Sequence, residues 1–112
     1  MANLIPEDWK RKVCAILKSG DDAIIDVTLR AQRDWYSLFP LLFPHDLYQV
    51  LALALERHGL AGKRVSMNEP GEVYAFLFSH ESIPLYGKIN LRPDGTAVII
   101  YSAHRPLKGD TL

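Results

Sequence analysis

The segment Arg92-Pro93-Asp94-Gly95-Thr96 constrains this chain most, because it dictates a tight turn between two strands whose side chains can then be assigned to faces. Proline presets φ for the first central position of a type I turn, aspartate suits the second, and glycine takes the positive-φ position that makes a bulge. With Arg92 opposite Thr96, Tyr86 faces Ser102, Lys88 faces Ile100 and Pro84 faces His104. One face is then apolar, with Leu85, Ile89, Leu91, Ala97, Ile99, Tyr101 and Ala103. The other carries Tyr86, Lys88, Asn90, Arg92, Ser102 and His104, a set of cation, hydroxyl and imidazole suited to a phosphate. Two alternatives stand beside this reading. Antiparallel sheets commonly keep one wet face that needs no function. A two-residue Asp94-Gly95 loop would instead set Ile89 opposite Ile100 and Leu85 opposite His104, sending Lys88 and His104 to opposite faces.

The rest of the chain reads as helices followed by strands. Pro6 to Lys18 has the marks of a helix: proline in the first turn, Glu7 and Asp8 at the positive end of the dipole, and Gly20 beyond the end. Trp9, Val13, Ile16 and Leu17 form its core stripe, while Lys10, Arg11, Lys12 and Lys18 fall on solvated faces. Asp21 to Asp26 is a connection, and Thr28 caps a second helix of about ten residues that offers Trp35, Leu38 and Phe39 to the core. After Pro40 and Pro44, His45 to His58 is helical, with Leu47, Val50, Leu51, Ala54 and Leu55 on one face, Leu53 widening it and His58 complementing the dipole. Four strand candidates follow, Val65 to Met67, Val73 to Ser79, Leu85 to Leu91 and Thr96 to Ala103, with a longer link from His80 to Pro84. This order predicts one α+β domain over residues 1–112, its N-terminal helices packed on a C-terminal antiparallel β-meander of about four strands.

Composition bounds the function. The 112 residues, 48% hydrophobic and 23% charged, are enough for one packed core. No apolar run approaches the ~20 residues that span a bilayer, and the N-terminus lacks a signal peptide's charged start and apolar core, so no membrane partner and a cytoplasmic location are expected. A lone cysteine, Cys14, excludes an internal disulfide and a zinc cluster. Thirteen basic residues balance thirteen acidic ones, so the broad basic field of a nonspecific nucleic-acid binder is missing and no direct DNA contact is expected. Any RNA contact must be local.

No glycine-rich phosphate loop, GxSxG or HExxH is present, and His45, His58, His80 and His104 lack metal-ligand spacing. No cofactor or metal is expected. What remains is a kit for metal-independent RNA cleavage: Lys88 and Arg105 for charge, His104 or His80 for proton transfer, and Tyr86, Tyr101 or Ser102 to position a phosphate. Arg92 could add a substrate contact.

The last strands, YGKINL followed by TAVIIYSAH, give this kit a family setting. Tyr86, Lys88 and Ile89, then Ser102 and His104, resemble the terminal hairpin of the MqsR group of RelE-fold toxins from bacterial toxin–antitoxin modules. That hairpin pairs a Tyr-x-Lys-Ile strand with one ending Ser-Phe-His or Ser-Phe-Lys, and Ala103 stands here at the aromatic position. The resemblance covers roughly the C-terminal two-thirds. It implies a metal-independent endoribonuclease that cleaves mRNA and is neutralised by a cognate antitoxin, with Lys88, His104, Tyr86 and Ser102 catalytic and Arg105, Arg92, Tyr101 and His80 binding substrate. The competing reading is a noncatalytic interaction module, such as an inhibitor, immunity or adaptor protein, possibly phage-encoded, that uses the sheet face or an exposed edge.

Overall fold

Local signals place the three helices. The computed structural model describes residues 4–110. Helix α1 (Glu7–Ser19) ends where Gly20 turns left-handed at φ 63° and returns its N–H to the Leu17 carbonyl at 3.2 Å. Helix α2 (Leu29–Leu38) begins at Thr28, whose hydroxyl accepts the Ala31 N–H at 3.1 Å. Helix α3 (Pro44–Leu55) has proline in its first turn, and the Asp46 carboxylate accepts the Phe43 N–H at 2.7 Å.

The strands are β1 (Ile25–Val27), β2 (Gly62–Val65), β3 (Glu72–His80), β4 (Ile83–Leu91) and β5 (Val98–His104), in the sheet order β1-β5-β4-β3-β2. The class is α+β, with a four-stranded antiparallel meander as expected and a fifth strand besides. That fifth strand, β1, lies in the segment read as a connection and pairs parallel to β5. Three residues are too short to show alternation in sequence, and β1 depends on the neighbouring strand for its hydrogen bonds. Strand β2 runs over Gly62–Val65 rather than the expected Val65 to Met67, with Gly62 opposite Phe76 and Val65 opposite Val73. The expected long link from His80 to Pro84 is instead a two-residue turn, Glu81-Ser82, with φ of 51° and 66°. Both residues thus adopt the positive φ of a type I′ turn without glycine or asparagine.

The helices cover one face of the sheet. Trp9 meets Tyr74 edge-on at 5.1 Å and donates its indole N–H to the Glu72 carbonyl at 2.9 Å. Trp35 and Phe39 close over His80 at ring distances of 6.2 and 5.2 Å. Leu51 and Leu55 of α3 are fully buried, and Tyr48 and Ala52 widen that stripe in place of Leu53, which is exposed. Lys10 is buried, contrary to expectation; its ammonium reaches the Arg57 carbonyl at 3.3 Å, past the end of α3. His58 lies beyond that helix and does not complement its dipole. Across the sheet, Gly62, Phe76, Gly87 and Ala103 form one row on the covered face. A Cβ at Gly87 would sit 2.8 Å from the Phe76 ring, so that glycine exists to admit the ring.

Two measurements test this packing. Leu51→Ala is expected to cost roughly 2–5 kcal/mol by denaturant unfolding, and a loss within about 0.5 kcal/mol would place Leu51 outside the core. Ser82→Gly is expected to relieve about 1 kcal/mol of left-handed backbone cost and raise the thermal midpoint by several degrees. A lowered midpoint would contradict the turn assignment.

Candidate active site on the open face of the sheet

The last hairpin does not follow the register expected from its turn. The Asp94 carboxylate accepts the Thr96 N–H at 3.0 Å, drawing Thr96 into the loop, and Arg92 bonds Ala97 at 2.9 Å instead. Ile89 therefore faces Ile100, and Leu91 faces Val98. Continued unchanged, this alternative register would have parted Lys88 from His104. A bulge prevents that: Tyr101 is an extra residue between Ile100 and Ser102, so Lys88 faces Ser102 and Tyr86 faces His104. Val98 and Ile100, not Ile99 and Tyr101, point to the covered face with Ala103, and Ala97 lies opposite Arg92 on the open side. The expected pairs Tyr86–Ser102, Lys88–Ile100 and Pro84–His104 do not form; Pro84 faces Ser79 of β3.

Tyr86, Lys88, Ser102 and His104 thus share one face of adjacent strands, where opposite residues stand ~5 Å apart and diagonal neighbours ~7–8 Å. Tyr86 is buried, and the His104 ring stacks on it at 5.5 Å and 27°. Burial, then the Asp110 carboxylate, pushes the Tyr86 phenol above its ordinary range, so it remains a hydrogen-bond donor at neutral pH. His104 Nδ1 lies 2.6 Å from the Arg105 carbonyl. A carbonyl oxygen only accepts, so the proton belongs on Nδ1, and Nε2 of the neutral ring is left with its lone pair. Lys88 is half-buried and has no ion pair among the described residues. Lys63 of β2 stands in the same cross-strand row as Lys88, with only the small Ala75 between them. Arg105 is exposed at the end of β5.

The remaining candidates are placed elsewhere. His80 lies on the helix-covered face against Trp35 and Phe39, away from His104, because β3 presents its even-numbered residues to the helices. Tyr101 and Arg92 are on the open face but hold the loop between β2 and β3. The Tyr101 hydroxyl donates to Glu69 at 2.9 Å and accepts from Asn90 at 3.3 Å. Asn90 and Arg92 both donate to the Pro70 carbonyl, at 3.1 and 3.2 Å, and Arg92 lies 3.6 Å from the Glu69 carboxylate. The Asn-Glu-Pro-Gly turn is visible in sequence, but its folding back over the hairpin is not. Among the described residues no three acidic, histidine or cysteine side chains gather as a metal site, and no helix is long and apolar enough to cross a membrane. Comparison with known proteins found no matching family model, no similar curated protein and no similar solved structure.

If Tyr101 serves the loop, Tyr101→Phe should speed amide exchange across residues 66–71 and lower stability by about 1 kcal/mol, the usual worth of such a bond. Unchanged exchange there would make Tyr101 a substrate contact again.

Proposed function

We propose that this protein is a metal-independent endoribonuclease that cleaves mRNA and is held in check by a cognate antitoxin protein. The observation that supports the reading is the cluster of Tyr86, Lys88, Ser102 and His104 on the sheet face away from the helices, where Lys88 and His104 are part-exposed and Tyr86 and Ser102 are buried beside them. His104 Nε2 takes the proton from a ribose 2′-hydroxyl, and the freed oxygen attacks the adjacent phosphorus. The new O2′–P bond forms as the P–O5′ bond breaks, and the leaving oxygen takes a proton from solvent. Lys88 faces the charge that builds on the phosphorane, while the Tyr86 phenol and Ser102 hydroxyl position the phosphate. Arg105 contacts the neighbouring backbone phosphate.

Lys88→Ala should lower cleavage by on the order of 10²-fold or more with little change in thermal midpoint, since a strand lysine without an ion pair adds little stability. His104→Ala should cost roughly 10²–10⁴-fold, and the double variant less than the product of the two losses. Chelators should leave the rate unchanged. Intact mixed RNA with and without ribosomes, together with harmless expression, would reject the nuclease. The same face would then be a partner-binding surface of a noncatalytic module.

A further inference from the structure

A cleft of about 570 Å³ opens beside β1, between α2 and the start of α3. None of the residues assigned to RNA cleavage lines it. Tyr36, Phe43 and Tyr48 give it aromatic walls, and Asp22 stands at its edge with no lysine or arginine in the lining. Asp26 also borders it but pairs with Ile99, which turns its carboxylate to the sheet face away from the helices, so it takes no part.

The hydrogen bonds within the cleft consume donors and leave acceptors. The Tyr48 hydroxyl donates to Asp22 Oδ1 at 2.8 Å, and His45 Nε2 lies 3.6 Å from the same oxygen. Asp22 Oδ2 keeps its lone pairs, and that side chain is 71% exposed. The Gln32 amide nitrogen donates to the Val27 carbonyl at 2.9 Å, which leaves Gln32 Oε1 as an acceptor. Burial, then the hydrogen bond to Asp22, pushes the Tyr48 phenol up to about 12, so it keeps its proton and goes on donating to the carboxylate. Tyr36 adds to that shift, which sets its phenol near the same corner.

Such a corner suits a cation that carries donors only and has a flat face. Guanidinium meets each demand: it is always charged, has five N–H donors and no acceptor, and stacks on a ring while bonding a carboxylate in its own plane. An ammonium has the charge without the face, and an anion would meet Asp22 with no cation to balance it. Strand β1 indicates what carries the cation. The Ile24 carbonyl and the Thr28 N–H bond to β5, so Asp26 turns its backbone groups toward β5 and Val27 turns its own outward. Gln32 takes the Val27 carbonyl, but the Val27 N–H has no partner among the described residues. An unpaired donor on an edge strand suits the carbonyl of an added polypeptide segment.

We propose that this cleft binds an arginine side chain carried by an extended segment of a partner protein, with the guanidinium on Asp22 and against the Tyr36 ring, and a carbonyl of the segment on the Val27 N–H. The inference stands apart from the nuclease reading, because the two sites share no residue.

The test is a titration of the full chain with the blocked pentapeptide acetyl-Gly-Gly-Arg-Gly-Gly-amide, followed by backbone amide signals in 1H–15N spectra. The Val27 signal should move downfield saturably as its N–H gains an acceptor. Citrulline in place of the arginine keeps the shape without the charge and should weaken binding about 10-fold or more. Lysine there should weaken it about threefold or more, through loss of the planar fork. Asp22→Asn keeps an oxygen for Tyr48 and should weaken binding about 10-fold or more, with the fold reported by the same spectra. Tyr36→Phe should bind like the unsubstituted chain, and Tyr36→Leu about threefold more weakly. Equal binding of the citrulline peptide, which needs no variant to fold, would overturn the proposal, as would indifference to Asp22→Asn or a stationary Val27 signal. Equally tight binding of methylguanidinium would overturn the assignment to a protein partner.

Discussion

One surplus residue in β5 decides which side chains of the last hairpin meet. The turn hands β4 and β5 a pairing in which Ile89 faces Ile100, and that pairing alone would separate the lysine from the histidine. Tyr101 absorbs one position, and beyond it every side chain of β5 changes face relative to β4. Ala103 then turns inward and Ser102 and His104 turn outward. The bulge is held at several points: Thr28, the cap of α2, donates to the Tyr101 carbonyl at 3.4 Å, and the phenol is fixed by Asn90 and Glu69. A helix cap, a loop and a strand irregularity thus converge on the residue that sets the geometry of the candidate site.

The open face is divided in two by that residue. Toward the turn, polar groups answer one another: Asn90, Arg92 and Tyr101 clasp the loop at Glu69 and Pro70. Toward the other end, Tyr86, Lys88, Ser102 and His104 are joined by one ring stack and a shared surface, and Lys88 has no charge partner among the described residues. The first group is held by its own hydrogen bonds and ion pair, whereas the second has no such mutual bonding.

Much of the architecture was legible because it is written in local chemistry. Thr28, Gly20 and Pro44 mark helix ends by what their own atoms can or cannot bond. The stripes Trp9-Val13-Ile16-Leu17 and Leu47-Leu51-Leu55 mark buried faces by spacing. The failures share a different cause. Strand β1 owes its existence to β5, the loop clasp depends on residues about twenty to thirty positions away, and His80 faces the helices because of the pairing of β3. Tyr86, Lys88, Ser102 and His104 fall on one face, as the turn suggested, although the register differs at both stages, since a turn one residue longer and a bulge one residue deep cancel in parity. No local signal announces a bulge at an ordinary tyrosine, so the grouping was within reach of the sequence while its physical cause was not.

The row Gly62, Phe76, Gly87 and Ala103 carries a consequence for how such chains can vary. The Phe76 ring fills the space beneath Gly87, where a Cβ would sit 2.8 Å from it, and the small Ala103 is the next residue in that row. An aromatic residue at position 103 would compete for the same space, so a chain that carries one there must give up bulk at position 76. The two positions lie 27 residues apart and never pair directly, yet their sizes are expected to change in opposite directions among related sequences. A larger residue at position 103 alone would press on β4 from below, and a smaller one at position 76 alone would leave a cavity there, so either would shift Tyr86 and Lys88 on the opposite side and make the volume of a buried ring a hidden determinant of the surface chemistry.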